Sequence, residues 1–132
     1  MSGPSARPRR KKAKKADAPR LSPHRRPAAL APEAWQIGLR SQFGREQPFE
    51  MSNVGDQPVF SEYRVGNPAG PQRYRVAIRG TRPGDNYCGC LDYATNDLGT
   101  CKHIEFTLAK LAARRGGKAA LARGFAPAFS EV

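Results

Sequence analysis

Every cysteine of this 132-residue chain, and one of its two histidines, falls in the stretch NYCGCLDYATNDLGTCKHIEF, residues 86–106. Cys88, Cys90, Cys101 and His103 stand in the order C-x-C-x10-C-x-H. Thiolate and imidazole are the ligands that hold a tetrahedral Zn²⁺, whose bonds of about 2.3 Å require sulfurs about 3.8 Å apart. In a flat strand, alternate residues point the same way but sit too far apart, so the chain must bend between Cys88 and Cys90, and Gly89 permits the bend. Alternate residues inside a helix point in nearly opposite directions. Cys101 and His103 can therefore converge only across a helix start, with Thr100 the expected N-cap. A helix N-terminus also favours the thiolate, the form that binds metal.

Three clustered cysteines, an odd number, fit ligation better than a disulfide framework, and a reducing cytoplasm keeps such thiols free. Four protein ligands leave no open position for a substrate, so the expected cofactor is one structural zinc ion, although iron stays open from sequence alone. Three thiolates and a neutral imidazole around Zn²⁺ leave one negative charge, which Lys102 or Arg79 can offset. Asp85, Asp92 and Asp97 flank the ligands and any of them could accept the second ring N–H of His103, Asp92 first among them, with solvation of the loop the plainer reading. Leu91, Tyr93 and Leu98 are expected to pack the intervening loop onto the following helix. His24, the other histidine, stands among arginines with no ligand-type neighbour.

His103-Ile104-Glu105 matches the H-x-E of zinc deaminases, in which the glutamate works on a zinc-bound water. Those enzymes place their cysteines after the histidine as P-C-x-x-C, whereas here they come first as C-x-C. Glu105 reads more simply as an exposed acid in the first turn of a helix. No catalytic residue is assigned, and the chain is read as a non-enzyme.

The elements that must position the ligands follow from periodicity. PVFSEYRV and QRYRVAIRG are period-two runs separated by GNPAGP, which predicts an antiparallel hairpin over 59–65 and 72–79. Tyr74, Val76 and Ile78 share one face of its second strand. Arg73, Arg75 and Arg79 lie on the other, a basic stripe that could follow a phosphate backbone, or an ordinary solvated face paired with Glu62. In CKHIEFTLAKLAARRGG, Ile104, Leu108, Leu111 and Ala112 fall on one helical face, with Lys110, Arg114 and Arg115 near its end and Gly116 placed to cap it. Upstream, Pro32 opens a short amphipathic helix over 31–46 whose stripe of Trp35, Leu39 and Phe43 reads as core packing.

The formal charge is +12. Residues 1–30 hold ten Lys/Arg against the single Asp17, while residues 31–132 hold thirteen against ten acids. The leader, with Arg9, Arg10, Lys11, Lys12, Lys14 and Lys15 at its centre, has almost nothing to bury and reads as a disordered basic tail. Such a tail gains from counterion release on nucleic acid, and a solubilising leader is the plainer alternative. No apolar run suits a signal peptide or membrane span, so the chain is expected to remain in the cytoplasm. Residues 117–132 read as a connector towards a further region. The fold class expected is α+β: a small zinc-stabilised hairpin-plus-helix (ββα) domain over 47–116 with an extra N-terminal helix.

The C-x-C-x10-C-x-H pattern, placed after a hairpin and running into a helix, resembles the SWIM zinc finger. AWQIGLRSQFG, VFSEYRVGNP, YRVAIRG, PGDNYCGCLDYATNDLGTCKHIEF and LARGFAPAFSEV, spanning about residues 33–132, resemble the region before the ATPase core of bacterial Snf-type superfamily-two helicases. That resemblance implies Cys88, Cys90, Cys101 and His103 as metal ligands and DNA or a partner protein as the target. The motor is missing: there is no G-x-x-x-x-G-K-[ST], and RRGGKAAL lacks both its spacing and its hydroxyl residue. The leading reading is thus a zinc-binding module that engages nucleic acid, DNA first, alone or beside a helicase. The alternative is an adaptor that docks a recombination or remodelling protein. Neither involves a membrane or a small-molecule substrate.

Overall fold

The computed structural model describes residues 20–125. It is a mixed fold of helices and one antiparallel sheet. In chain order come helix α1 (Pro32–Glu46), strands β1 (Glu50–Asn53), β2 (Glu62–Gly66), β3 (Tyr74–Ala77) and β4 (Tyr87–Cys88), and helices α2 (Leu91–Thr95), α3 (Lys102–Ala113) and α4 (Gly117–Arg123). The sheet runs β1-β2-β3-β4.

The expected hairpin is β2–β3, in the register Tyr63↔Val76 and Val65↔Tyr74. Its loop closes as a turn in which the Gly70 N–H donates to the Asn67 carbonyl at 3.1 Å, with Pro68 supplying the fixed φ. The Asn67 side chain also accepts from the Ala69 N–H at 2.9 Å, a local bond that asparagine makes readily. The ββα expectation is corrected by two outer strands. β1 pairs with β2 and β4 with β3, and neither shows a usable period: EMSN is mostly polar and exposed, and β4 has only two residues.

The inward face of the sheet carries Tyr63, Val65, Val76 and Cys88, and beneath it α3 contributes Ile104, Phe106 and Leu111. Removing such side chains from water contributes roughly 1.5–3 kcal/mol each. The predicted stripe of α3 is present, with Ile104 and Leu111 fully buried and Leu108 and Ala112 packed at its margin. Gly116 does not cap that helix. α3 ends at Ala113, and Gly116, in the left-handed region at φ 74°, turns the chain into α4. The segment read as a connector is therefore helical at its start, and Leu121 joins the core. Arg114 and Arg115 follow α3 rather than forming its last turn.

Helix α1 begins with Pro32 in its first turn, but its buried residues are Gln42 and Gly44, not the Trp35–Leu39–Phe43 stripe. Phe43 is exposed, with the Lys102 ammonium 5.5 Å from its ring. Two contacts explain the inversion. A Cβ on Gly44 would lie 2.6 Å from the Lys102 carbonyl oxygen, so glycine is what lets α1 approach the backbone of α3. Gln42 exchanges two bonds with the backbone of Leu21, accepting at 2.7 Å and donating at 3.0 Å. The Trp35 indole donates to the Ser22 carbonyl. Residues near 21, read as part of the unstructured leader, are thus fastened along α1. The tail cations Arg9, Arg10, Lys11, Lys12, Lys14 and Lys15 lie outside the described residues.

Candidate metal centre

Strand β4 delivers Cys88 onto the inward face opposite Val76. The strand ends there, and the bend falls at Cys90 rather than at Gly89, whose backbone and surroundings would accept a side chain; Cys90 is the N-cap of α2, its sulfur accepting the Tyr93 N–H at 3.4 Å. Cys101 is the N-cap of α3 and His103 its second residue, so this pair straddles a helix start, as the ligand geometry requires. Thr100 is not the cap. Its hydroxyl donates to the Glu105 carboxylate at 2.6 Å, which also gives Glu105 a partner where a free exposed acid was expected.

The three sulfurs and one ring nitrogen all lie within 4.8 Å of one another, and all four residues are buried. The three thiols are free of disulfides. His103 Nδ1 lies 3.7 Å from Cys88 Sγ and 4.0 Å from Cys101 Sγ. Tetrahedral ligation with metal–sulfur and metal–nitrogen bonds of zinc length sets that separation at about 3.6 Å. The group can hold one metal ion.

Electrostatics point the same way. With no cation among them, the thiols cannot share charge: hydrogen bonds from Cys101 and then Cys88 hold the Cys90 thiol far below its usual range. Bonding to Cys88 and Cys90, with burial, pushes Cys101 far above it. Cys88 is lowered by Cys101 but raised more by Cys90 and by burial, ending at about 12. A divalent ion removes this conflict by letting all three ionise together. The backbone N–H groups of Cys90 and Ile104 lie close enough to Cys88 and Cys101 to favour their thiolates.

The surroundings differ from expectation in three respects. Asp92 does not serve His103. Its carboxylate takes a two-pronged bond from Arg40 at 2.8 and 2.9 Å, which raises the Arg40 pKa and lowers that of Asp92. Arg40 is a cation within electrostatic reach of Cys90 and Cys101. It was missed because it lies 52 positions from Asp92, on a helix whose buried face was misassigned. Asp85 bonds instead to Arg82, and Asp97 occupies a left-handed turn at φ 61°. The His103 ring packs against Tyr74 and Phe49, with centroids 4.7 and 5.1 Å away. Leu91, expected to pack inward, is 78% exposed, whereas Tyr93 packs on the core and donates to the Asn86 carbonyl at 2.6 Å.

Asn86 is the second residue that sequence reasoning passed over. Its buried amide accepts from the Arg79 and Gly80 N–H groups at 2.6 and 3.0 Å and donates to the Gly80 carbonyl at 3.0 Å. It therefore extends the β3–β4 pairing by side-chain bonds and fixes the strand that carries Cys88. On the far side of the loop, Gly99 at φ 79° passes so near Gly84 that a Cβ would lie 2.5 Å from its nitrogen.

The basic stripe is engaged within the fold. Arg75 makes a two-pronged pair with Glu62 at 2.8 and 2.9 Å. Arg79 lies 3.6 Å from Glu62 and donates to the Ser61 and Ile78 carbonyls. Arg73 donates to the carbonyls of Asn67, Gly70 and Gln72. Among the described residues no helix is long and apolar enough to cross a membrane. No protein-family model, curated protein or solved structure matches this chain.

Proposed function

We propose that this chain is a non-catalytic, zinc-stabilised module of SWIM type that binds nucleic acid, DNA first, without reading base sequence. It acts in the cytoplasm beside a helicase or recombination protein. The observation that carries the reading is the convergence of Cys88, Cys90, Cys101 and His103 to within 4.8 Å inside the core. Three sulfurs and an imidazole suit zinc among the divalent metals. Zinc held there would join β4, the start of α2 and the start of α3, with every ligand position filled by protein, and so would supply stability rather than reactivity. Nucleic acid is the partner supported by the charge of +12, much of it in the leader and the rest on the folded body.

A second reading, a protein-docking adaptor, is favoured by Leu91, whose exposed side chain follows directly after a ligand. Elemental analysis of the purified chain tests the first half of the proposal, with one zinc per chain and loss of structure on chelation as the expected result. A salt series of DNA binding tests the second. Affinity should fall steeply as salt rises, and absence of binding at low salt leaves only the adaptor.

A further inference from the structure

Between the edge strand β1 and the end of α3 runs an open groove of about 730 Å³, walled by Phe49, Met51 and Phe106. Four cations line it: Arg64 from β2, Arg73 just before β3, Lys110 from α3 and Arg114 just past its end. Glu50 is the single acid on its rim, 3.9 Å from Arg73. Arg64, Lys110 and Arg114 have no ion-pair partner among the described residues.

Residues 31–132 hold thirteen bases and ten acids, so one groove with four bases and one acid concentrates an excess as large as that of the whole body. The negative end of the α3 dipole accounts for Lys110 and Arg114. It does not account for Arg64, which stands opposite Arg75 across the hairpin while the neighbouring Glu62 is taken up by Arg75 and Arg79. Cations without an acidic partner on an open concave surface fit a polyanion, and the arginine fork matches phosphate oxygens. Phe106 is only 4% exposed and Phe49 is half-buried with its ring against Phe106 and His103, so the cations rather than an aromatic platform dominate the groove, which would follow the backbone.

We infer that this groove is the seat of the phosphodiester backbone of DNA on the folded body, with Arg64, Lys110 and Arg114 as its contacts. The inference rests on the DNA-binding reading above and relocates its contacts from the Arg75–Arg79 stripe, which Glu62 already neutralises.

The test compares two triple variants of the full, zinc-loaded chain by fluorescence anisotropy on a labelled mixed-sequence duplex across a salt series. One carries Arg64→Gln, Lys110→Gln and Arg114→Gln; the other carries Arg45→Gln, Arg82→Gln and Lys118→Gln, an equal charge away from both the groove and the leader. At about 0.9 per phosphate contact, the groove triple should lower the salt slope by about 2 to 3 and the affinity at low salt at least tenfold. The control triple should leave the slope within about 1 of the parent value. Equal losses in both triples, or parental binding by the groove triple, overturn the groove while DNA binding stands. Failure of the parent chain to bind at any salt overturns both. Should the triple lose its metal, Arg64→Gln and Lys110→Gln singly must each lower the slope by about 0.9, and unchanged slopes refute the assignment.

Discussion

Replacing Asn86 with alanine isolates how firmly the strand bearing Cys88 is held. The change deletes three bonds, to the Arg79 N–H, the Gly80 N–H and the Gly80 carbonyl, from a residue that is 4% exposed. A buried polar group left without a partner costs about 1–3 kcal/mol, and because Arg79 and Gly80 are only half-buried, water recovers part of that for each. The expected loss is about 2–4 kcal/mol in urea unfolding of the metal-loaded chain. Metal binding and folding are linked, so in competition with a chromophoric chelator the same loss appears as an apparent affinity about 30- to 1,000-fold weaker. If Asn86→Ala lies within about 0.5 kcal/mol of the parent, the idea that this amide positions the ligand strand is wrong.

Two other outcomes follow from the packing and the charges. Gly44→Ala places a Cβ 2.6 Å from the Lys102 carbonyl and 3.0 Å from the Phe106 nitrogen, both backbone, so α1 must shift off α3. The expected cost is about 1–3 kcal/mol by urea unfolding, and an unchanged midpoint would refute the close approach. Hydrogen bonding from Arg75 holds the Glu62 carboxyl below its usual range, so its contribution is full above the ordinary carboxylate range and is lost as pH falls through the lowered folded value. Arg75→Ala should therefore move the Glu62 titration upward by NMR, and an unmoved titration refutes the pairing.

The ligand set was legible because its requirements are local. Cys101 and His103 had to bracket a helix start, which sequence spacing reports, and a bend was needed near Cys88 and Cys90, although it falls at Cys90 rather than at Gly89. The hairpin was legible through its period and its Asn-Pro turn. What escaped depends on contacts between distant segments or on strands too short to show a period. β1 and β4 have four and two residues. The face of α1 was misread because its burial is decided by Gly44 and by Leu21 bonding to Gln42, neither of which is an apolar stripe. Arg40 and Asn86 act through single side chains on partners that no local pattern marks.

The three sulfurs belong to the same buried cluster as Val76, Ile104 and Leu111. The interior is therefore chemically addressable: a peroxide or a thiophilic metal such as cadmium or mercury that reaches it acts on the centre of the domain rather than on an accessory loop. With a metal ion held among those sulfurs, the integrity of the fold would answer to the redox and metal status of its surroundings as directly as to temperature or denaturant.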